Sequence, residues 1–398
     1  MRADAQLVRG TLVSGGRTVP DGLVAVHGDR IAFAGPVADW TGSPPPPPSG
    51  YVLPGLVDVH CHGGAGHGFP DSGPAGLALA VDHHLRHGTT TLLGSLVSAP
   101  GDVLAERVAV LAPLVAAGQL AGIHLEGPFL SAARCGAQDP RAIIPGDPDL
   151  LRRLIERSDG TVRSMTLAPE TPRCTELVAV LAEHGVLPSL GHTDADATTT
   201  RTAVIALGGA PCSATHLFNG MPPMHHRAPG PVAACLAAAA RGEMVLELIA
   251  DGVHLADETV AAVFDLVGPD RIALVTDATA AAGQADGRYR LGSLLTDVVH
   301  GVARLAEGPV GEQGRAIAGG TARLIEVVRR TVRHAGVDLA AAVTAASATP
   351  ARLLGRDDVG DLVPGRRADL LVADDDLTPL AVMRAGRWVH HEPGREAV

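Results

Sequence analysis

The sequence predicts an α/β fold: a (β/α)8 barrel of the TIM type, with a small β-sandwich domain built from both chain ends. Three observations predict it. Between residues 51 and 350, apolar strand-like runs alternate with Ala/Leu-rich helical runs eight times. Both chain ends carry short segments of alternating apolar and polar residues between Gly-containing turns. Residues of one chemical type, His and carboxylates, recur where the central strands end.

The elements follow in order. Ala5 to Thr11, Gly22 to His27 and Arg30 to Gly35 read as strands. Ser43 to Ser49, with five consecutive prolines, reads as an extended surface connection. The barrel strands are expected at Tyr51–Val59, Thr89–Leu96, Gly122–Leu125, Arg163–Leu167, Val186–Leu190, Ala210–Thr215, Met244–Ile249 and Arg271–Thr276. Most are continuous apolar runs, as parallel strands covered on both faces require. Eight such units over this length suit a barrel whose usual size is about 250 residues. Gly365 to Asp374 and Arg384 to His390 read as strands again. The two ends, 1–50 and 351–398, are therefore expected to pair into one discontinuous β-domain, with 51–350 forming the barrel. A dinucleotide fold has little support: Gly64-Ala-Gly-His-Gly follows a strand, but nothing completes the fingerprint.

Composition narrows the chemistry. The chain has 398 residues, 46% of them hydrophobic, and a net charge of -11, so a large core is available and a nucleic-acid partner is not expected. No apolar run reaches the roughly 18 residues of a membrane helix. The start, MRADAQLVRG, has no apolar signal region, and five scattered cysteines form no C-x-x-C. A cytoplasmic protein is the expectation. There is no lysine, which removes phosphate-loop, Schiff-base and carboxylated-lysine chemistry. There is one asparagine, Asn219, and there are 18 histidines. That histidine count points toward metal or acid–base chemistry.

In a barrel of this kind, chemistry collects at the C-terminal ends of the strands. The first strand ends in Asp58-Val-His60-Cys-His62, and alternation turns His60 and His62 the same way. The third ends in His124-Leu-Glu126, the fifth in Gly191-His192-Thr, the sixth in Thr215-His216-Leu-Phe-Asn219 and the eighth in Thr276-Asp277-Ala. Imidazoles and carboxylates at one mouth form a divalent-cation ligand set. Their number exceeds what one tetrahedral ion needs, so two ions with Glu126 as bridge are expected. His124 has the parity of Glu126 but lies deeper, and is read as core. His83, His84 and His87 are read as surface residues of a helix. Cys61 faces the helices, and Cys135 is an unreactive loop thiol.

The stretches PGLVDVHCHG (54–63), HLEGPFL (124–130), LAPE (167–170), GHTDA (191–195), ATHLFNGMPPMHHRAPG (214–230), IADGVH (249–254), VTDA (275–278) and PGRRADLLV (364–372) carry a resemblance. The chain resembles the amidohydrolase superfamily and, within it, the N-acetylglucosamine-6-phosphate deacetylase family, from about residue 5 to 390.

The resemblance implies a hydrolase that releases acetate from N-acetyl-D-glucosamine 6-phosphate. It places one metal on Glu126, His192 and His216, and a second on His60 and His62. Zinc is the first expectation, with iron, cobalt or manganese also suited. Asp277 would be the general base and then acid, and is also expected among the metal ligands. Asn219, Gly220, Arg227 and His254 would line the sugar-phosphate site, with the backbone of Ile317, Ala318 and Gly319 near the substrate. It also implies a homodimer in which Arg227 reaches toward a neighbouring subunit's site. Two departures stand out. Gly136-Ala137-Gln138 carries Gln where many members have His, and Ile317-Ala-Gly-Gly320 lacks a hydroxyl. The alternatives are an N-acetylgalactosamine 6-phosphate deacetylase, a deacetylase of another N-acyl sugar or amino acid, or a metal-bound sensor without activity.

Overall fold

Eight parallel strands form the central sheet: Leu56–Asp58, Thr89–Leu96, Gly122–Glu126, Val162–Leu167, Leu187–Leu190, Ser213–Ala214, Val245–Leu248 and Ile272–Leu274, each paired with the next. All eight expected strands are present. The computed structural model describes residues 5–311 and 314–391, so the outermost ends of the expected terminal domain, 1–4 and 392–398, lie outside the described residues.

The barrel closes between the first strand and the eighth, just beyond the regular strands. Asp277 N–H donates to the His60 carbonyl at 2.9 Å, and His62 N–H donates to the Ala278 carbonyl at 2.7 Å. Below them the buried Asp58 carboxylate accepts from the Thr276 hydroxyl at 2.6 Å and from His60 N–H at 3.2 Å. The residues that carry the chemistry thus also complete the wall.

Helices cover the outside, and their burial follows from sequence spacing. In Pro148–Arg157, Leu151, Leu154 and Ile155 are buried, the spacing of one helical face. Asp147 caps its N-terminus by accepting from Asp149 N–H and Leu150 N–H. The helix after the eighth strand, Leu324–Arg333, buries Leu324, Ile325, Val327, Val328 and Thr331 against the barrel. Strand Thr89–Leu96 is buried along its whole length, as a strand covered on both faces must be.

The chain ends form one seven-stranded sheet. Its order is Arg387–His391, Pro379–Arg384, Leu370–Ala373, Tyr51–Pro54, Gln6–Ser14, Arg17–His27 and Arg30–Pro36. It curls so that both arms share a core of Val8, Val24, Ile31, Leu370, Val372 and Met383. Tyr51–Pro54, read above as the start of the first barrel strand, pairs parallel with Gln6–Ser14 and antiparallel with Leu370–Ala373. Gly55 is the joint between the two sheets: a Cβ there would lie 2.2 Å from the Thr90 hydroxyl.

One element was not expected from the sequence. Gly287–Leu291, Leu294–Val299 and Val302–Leu305 form a three-stranded antiparallel sheet inserted after the eighth strand. Ala318 N–H donates to the Ala303 carbonyl, and Gly320 N–H to the Asp277 carbonyl. Segment 317–320 is thereby held between this small sheet and the barrel mouth. No helix among the described residues is long and apolar enough to cross a membrane.

Candidate metal centre and active site

Four imidazoles and two carboxylates converge at the mouth. His192 Nε2 and His216 Nε2 lie 2.9 and 3.0 Å from Glu126 Oε1, and 3.2 Å from each other. His60 Nε2 and His62 Nε2 are 3.2 Å apart, and His62 Nε2 is 3.2 Å from Glu126 Oε2. Two triads therefore meet, His60–His62–Glu126 and Glu126–His192–His216, and they share Glu126. Asp277 Oδ1 lies 3.4 and 3.2 Å from His60 Nε2 and His62 Nε2. His60, His62, Glu126, His192, His216 and Asp277 are all buried.

This donor set fits divalent cations. Nitrogen and oxygen ligands at about 2.0–2.1 Å in a tetrahedron stand about 3.3 Å from one another. The tautomers agree. His62 Nδ1 donates to the Ser95 carbonyl at 3.1 Å, His192 Nδ1 to the Arg134 carbonyl at 2.9 Å, and His60 Nδ1 to Glu247 Oε2 at 3.1 Å. Each leaves its Nε2 lone pair aimed at the centre. Without a cation or proton between them, such lone pairs only repel. Burial opposes protonation of His62, but Asp277 and Glu126 outweigh it and raise its pKa to about 9.

The backbone is bent to aim these groups. His192, His216 and Asp277 have φ of 46°, 28° and 47°, the left-handed region that non-glycine residues avoid. Each such residue costs about 1–3 kcal/mol, and they cluster at the mouth. Gly220, at φ 62°, packs so closely that a Cβ would lie 3.0 Å from His192 Nδ1.

A cavity of about 550 Å³ opens over this centre. Of the residues expected from the sequence, His62, Glu126, His192, His216 and Asp277 form its floor; Ala137, Gln138, Asn219, Gly220, His254, Ile317 and Gly319 line it. His60 lies beneath that floor and is fully buried. Ala318 is also fully buried, so its side chain supports the wall rather than facing the cavity.

Arg227 is not brought to the cavity of its own chain. It is exposed, and its Nη1 lies 2.7 Å from His226 Nε2. The loop carrying it is closed by the His225–Ala228 bridge. The arginines that do line the cavity are Arg304, from the unexpected sheet, and Arg315, from the segment that follows it. Arg304 donates to the Arg315 carbonyl at 2.6 Å and has no carboxylate partner among the described residues. His254 donates from Nδ1 to Asp251 Oδ2 at 2.8 Å, which leaves Nε2 free.

Gln138 lies at the substituted position of the loop. Its Nε2 donates to Glu126 Oε2 and its Oε1 accepts from Ser98 N–H. His124 behaves as a core residue, held between the Ser95 hydroxyl and the Thr166 hydroxyl at 2.9 Å each. His84 does not behave as a surface residue: it is fully buried, with Nε2 2.9 Å from the Gly63 carbonyl. Residue 84 falls on the same helical face as Leu77, Ala80 and Val81, which are all buried. Sequence reasoning missed Glu247, a carboxylate inside the seventh strand. The signal was a lone charge in the apolar run 244–249, since a charge in a strand covered on both faces must be paired.

A barrel whose strand ends carry a shared Glu, four His and an Asp defines a metal-dependent hydrolase. Residues 51–389 match the amidohydrolase family, and the chain belongs to it. The chain is 30% identical over 386 residues to the N-acetylglucosamine-6-phosphate deacetylase of Bacillus subtilis, covering 94% of each. It is 36% identical over 331 residues to the N-acetylgalactosamine-6-phosphate deacetylase of Escherichia coli O157:H7, covering 82% of this chain and 84% of that one. It superposes on a Mycobacterium smegmatis N-acetyl-D-glucosamine-6-phosphate deacetylase variant, solved with N-acetyl-D-glucosamine-6-phosphate, with a TM-score of 0.91. The two are 40% identical over 97% of this chain and 100% of that one.

Proposed function

We propose that this hydrolase removes the acetyl group of N-acetyl-D-glucosamine 6-phosphate, giving D-glucosamine 6-phosphate and acetate. One observation carries the reading. The convergent ligands and Asp277 share a single cavity with a cationic wall made by His254, Arg304 and Arg315. The amide end and the phosphate end of one substrate thus have matching surfaces. The relatives' names supply the same substrate.

Glu126, His192 and His216 would hold one divalent ion, His60 and His62 a second, with Glu126 shared. Zinc, iron, cobalt and manganese all suit these ligands. Bound ions would acidify a water toward a pKa of about 7 and polarise the amide carbonyl. Asp277 then takes the proton of the attacking water on its carboxylate and returns it to the departing amine nitrogen. Burial favours its neutral form, but the His60 charge and the His62 hydrogen bond outweigh this and lower its pKa to about 2. Ion-free, it is therefore an acceptor at neutral pH. Asn219, Gly220 and the 317–319 backbone orient the sugar, and Gln138 holds Glu126.

Arg227, exposed and outside its own chain's cavity, suits a homodimer in which it completes a neighbouring one. A cytoplasmic location agrees with five unpaired cysteines. The second reading is N-acetylgalactosamine 6-phosphate, favoured by the 36% identity to a relative of that name.

The test is acetate release by purified protein, chelated and then reloaded with single metals. The substrates are both N-acetylhexosamine 6-phosphates and the unphosphorylated sugars. Metal-dependent turnover confined to the phosphorylated sugars supports the reading, and their ratio decides between the two epimers. Equal turnover of phosphorylated and unphosphorylated sugars overturns the phosphate assignment.

A further inference from the structure

One buried carboxylate of the barrel takes no part in the chemistry of the cavity. Glu247 sits on strand Val245–Leu248, where Leu246 and Leu248 are fully buried and Glu247 itself is 3% exposed. An ionised carboxylate there is costly unless its oxygens are occupied. They are. Ser213 and Ser189 hydroxyls lie 2.9 and 3.2 Å from Oε1, while His60 Nδ1 and His216 N–H lie 3.1 and 3.4 Å from Oε2.

The four imidazoles differ in what backs them. His62 and His192 donate from Nδ1 to neutral backbone carbonyls, and His216 Nδ1 has no partner among the described residues. Only His60 has a carboxylate behind it. A carboxylate accepting the far N–H of an imidazole makes the near nitrogen a stronger donor and fixes its tautomer. The difference falls where it is needed. The Glu126–His192–His216 triad has direct contacts of 2.9–3.0 Å to one carboxylate oxygen. The His60–His62 pair stands 3.5 and 3.2 Å from Glu126, so it rests on two imidazoles and a carboxylate already engaged by the other triad.

We infer that Glu247 is a positioning residue that makes the His60–His62 site hold its ion, by fixing the His60 tautomer and strengthening its Nε2. This rests on the two-ion reading above. It also sets Glu247 apart from Asp277: Glu247 does not line the cavity, and the one imidazole it meets is His60, its contact with His216 being to the backbone N–H.

The test is Glu247→Gln, which keeps the shape and removes the charge. Chelated wild-type and variant proteins are titrated with Co²⁺ and with Zn²⁺ against a competing chelator, reading visible absorption and bound metal per chain. Wild type is expected to take two ions. The variant should keep the first affinity and lose 10–100-fold at the second, with unchanged circular dichroism. Equal second-ion affinity in both proteins overturns the inference and leaves the two-ion reading standing. One ion per wild-type chain overturns both. Should Glu247→Gln not fold, Ser213→Ala removes one hydroxyl from Oε1 and keeps every charge. A several-fold loss confined to the second ion supports the inference, and none overturns it.

Discussion

Gln138 donates from Nε2 to Glu126 Oε2 at 2.6 Å, and the same side chain accepts from Ser98 N–H through Oε1 at 2.7 Å. The backbone donor fixes which end of the amide faces Glu126. Gln138 is 4% exposed, so neither contact is easily replaced by bulk water. The residue at this loop position is thus tied to the shared carboxylate. Gln138→Ala should lower kcat/KM by about 10–100-fold, the usual cost of losing a group that orients a metal ligand. Bound metal per chain, measured beside the kinetics, should fall as well. Full metal content with unchanged kcat/KM would show that Glu126 needs no clamp.

Asp277 is the only carboxylate of the mouth that is not shared between the two triads. Asp277→Asn keeps its size and removes its ability to take a proton. Turnover should drop by 10²–10⁴-fold, the range of a lost general base. Binding of glucosamine 6-phosphate, followed by calorimetry on the same preparation, should remain within a few-fold. Unchanged turnover would assign proton transfer to another group.

The sequence exposed the parts of this site that obey strand parity. His60, His62, Glu126, His192, His216 and Asp277 all sit at strand ends, where parallel strands converge by construction, so their meeting follows from the barrel alone. Glu247 shows the opposite case. It lies mid-strand, and only the closed barrel brings it to His60 Nδ1, 187 residues away in sequence. Arg304 was equally hidden, because the sheet 287–305 is no part of the βα repeat and its approach to the cavity depends on a fold-back through 317–320. Arg227 lies outside its own chain's cavity, because a loop motif fixes residue type and order, not which way a loop leaves the barrel; this is the placement that a role at a neighbouring subunit's site requires. His84 was legible in principle: it occupies the apolar stripe of its helix, and the residue type alone suggested the surface.

His84 predicts an acid limit to stability. Burial depresses its pKa to about 4, so the folded protein holds it neutral. The unfolded chain protonates it near 6.5. Its contribution is therefore complete above pH 6.5, and it is lost progressively as pH falls to about 4. The shift corresponds to roughly 3 kcal/mol across that window. Tm of chelated protein should fall from pH 6.5 to 4, and the fall should be shallower in His84→Gln. Parallel Tm–pH curves would show that His84 is protonated in the fold as easily as outside it.

The cationic wall makes the last prediction. Arg304 lines the cavity without a carboxylate partner among the described residues, and His254 lines the same cavity with Nδ1 engaged by Asp251. A charge-assisted hydrogen bond is worth about 1.5–3 kcal/mol, or about 10–150-fold. Arg304→Ala should cost that much in kcat/KM for the 6-phosphate, mostly through KM, and almost nothing for the unphosphorylated sugar. His254 adds a pH signature. Burial would lower its pKa, but the Asp251 hydrogen bond and charge, with Asp277 more distant, hold it above the usual histidine value. The imidazolium therefore persists to higher pH than that of an ordinary histidine and is lost as pH rises through the elevated value. A phosphate monoester becomes a dianion near pH 6, so KM should be lowest just above that pH and climb on the alkaline side. In His254→Gln the climb should vanish while the Arg304 effect persists. A KM that is flat from pH 6 upward in the wild-type protein would remove His254 from the phosphate site, and a phosphate preference unaltered in Arg304→Ala would remove Arg304.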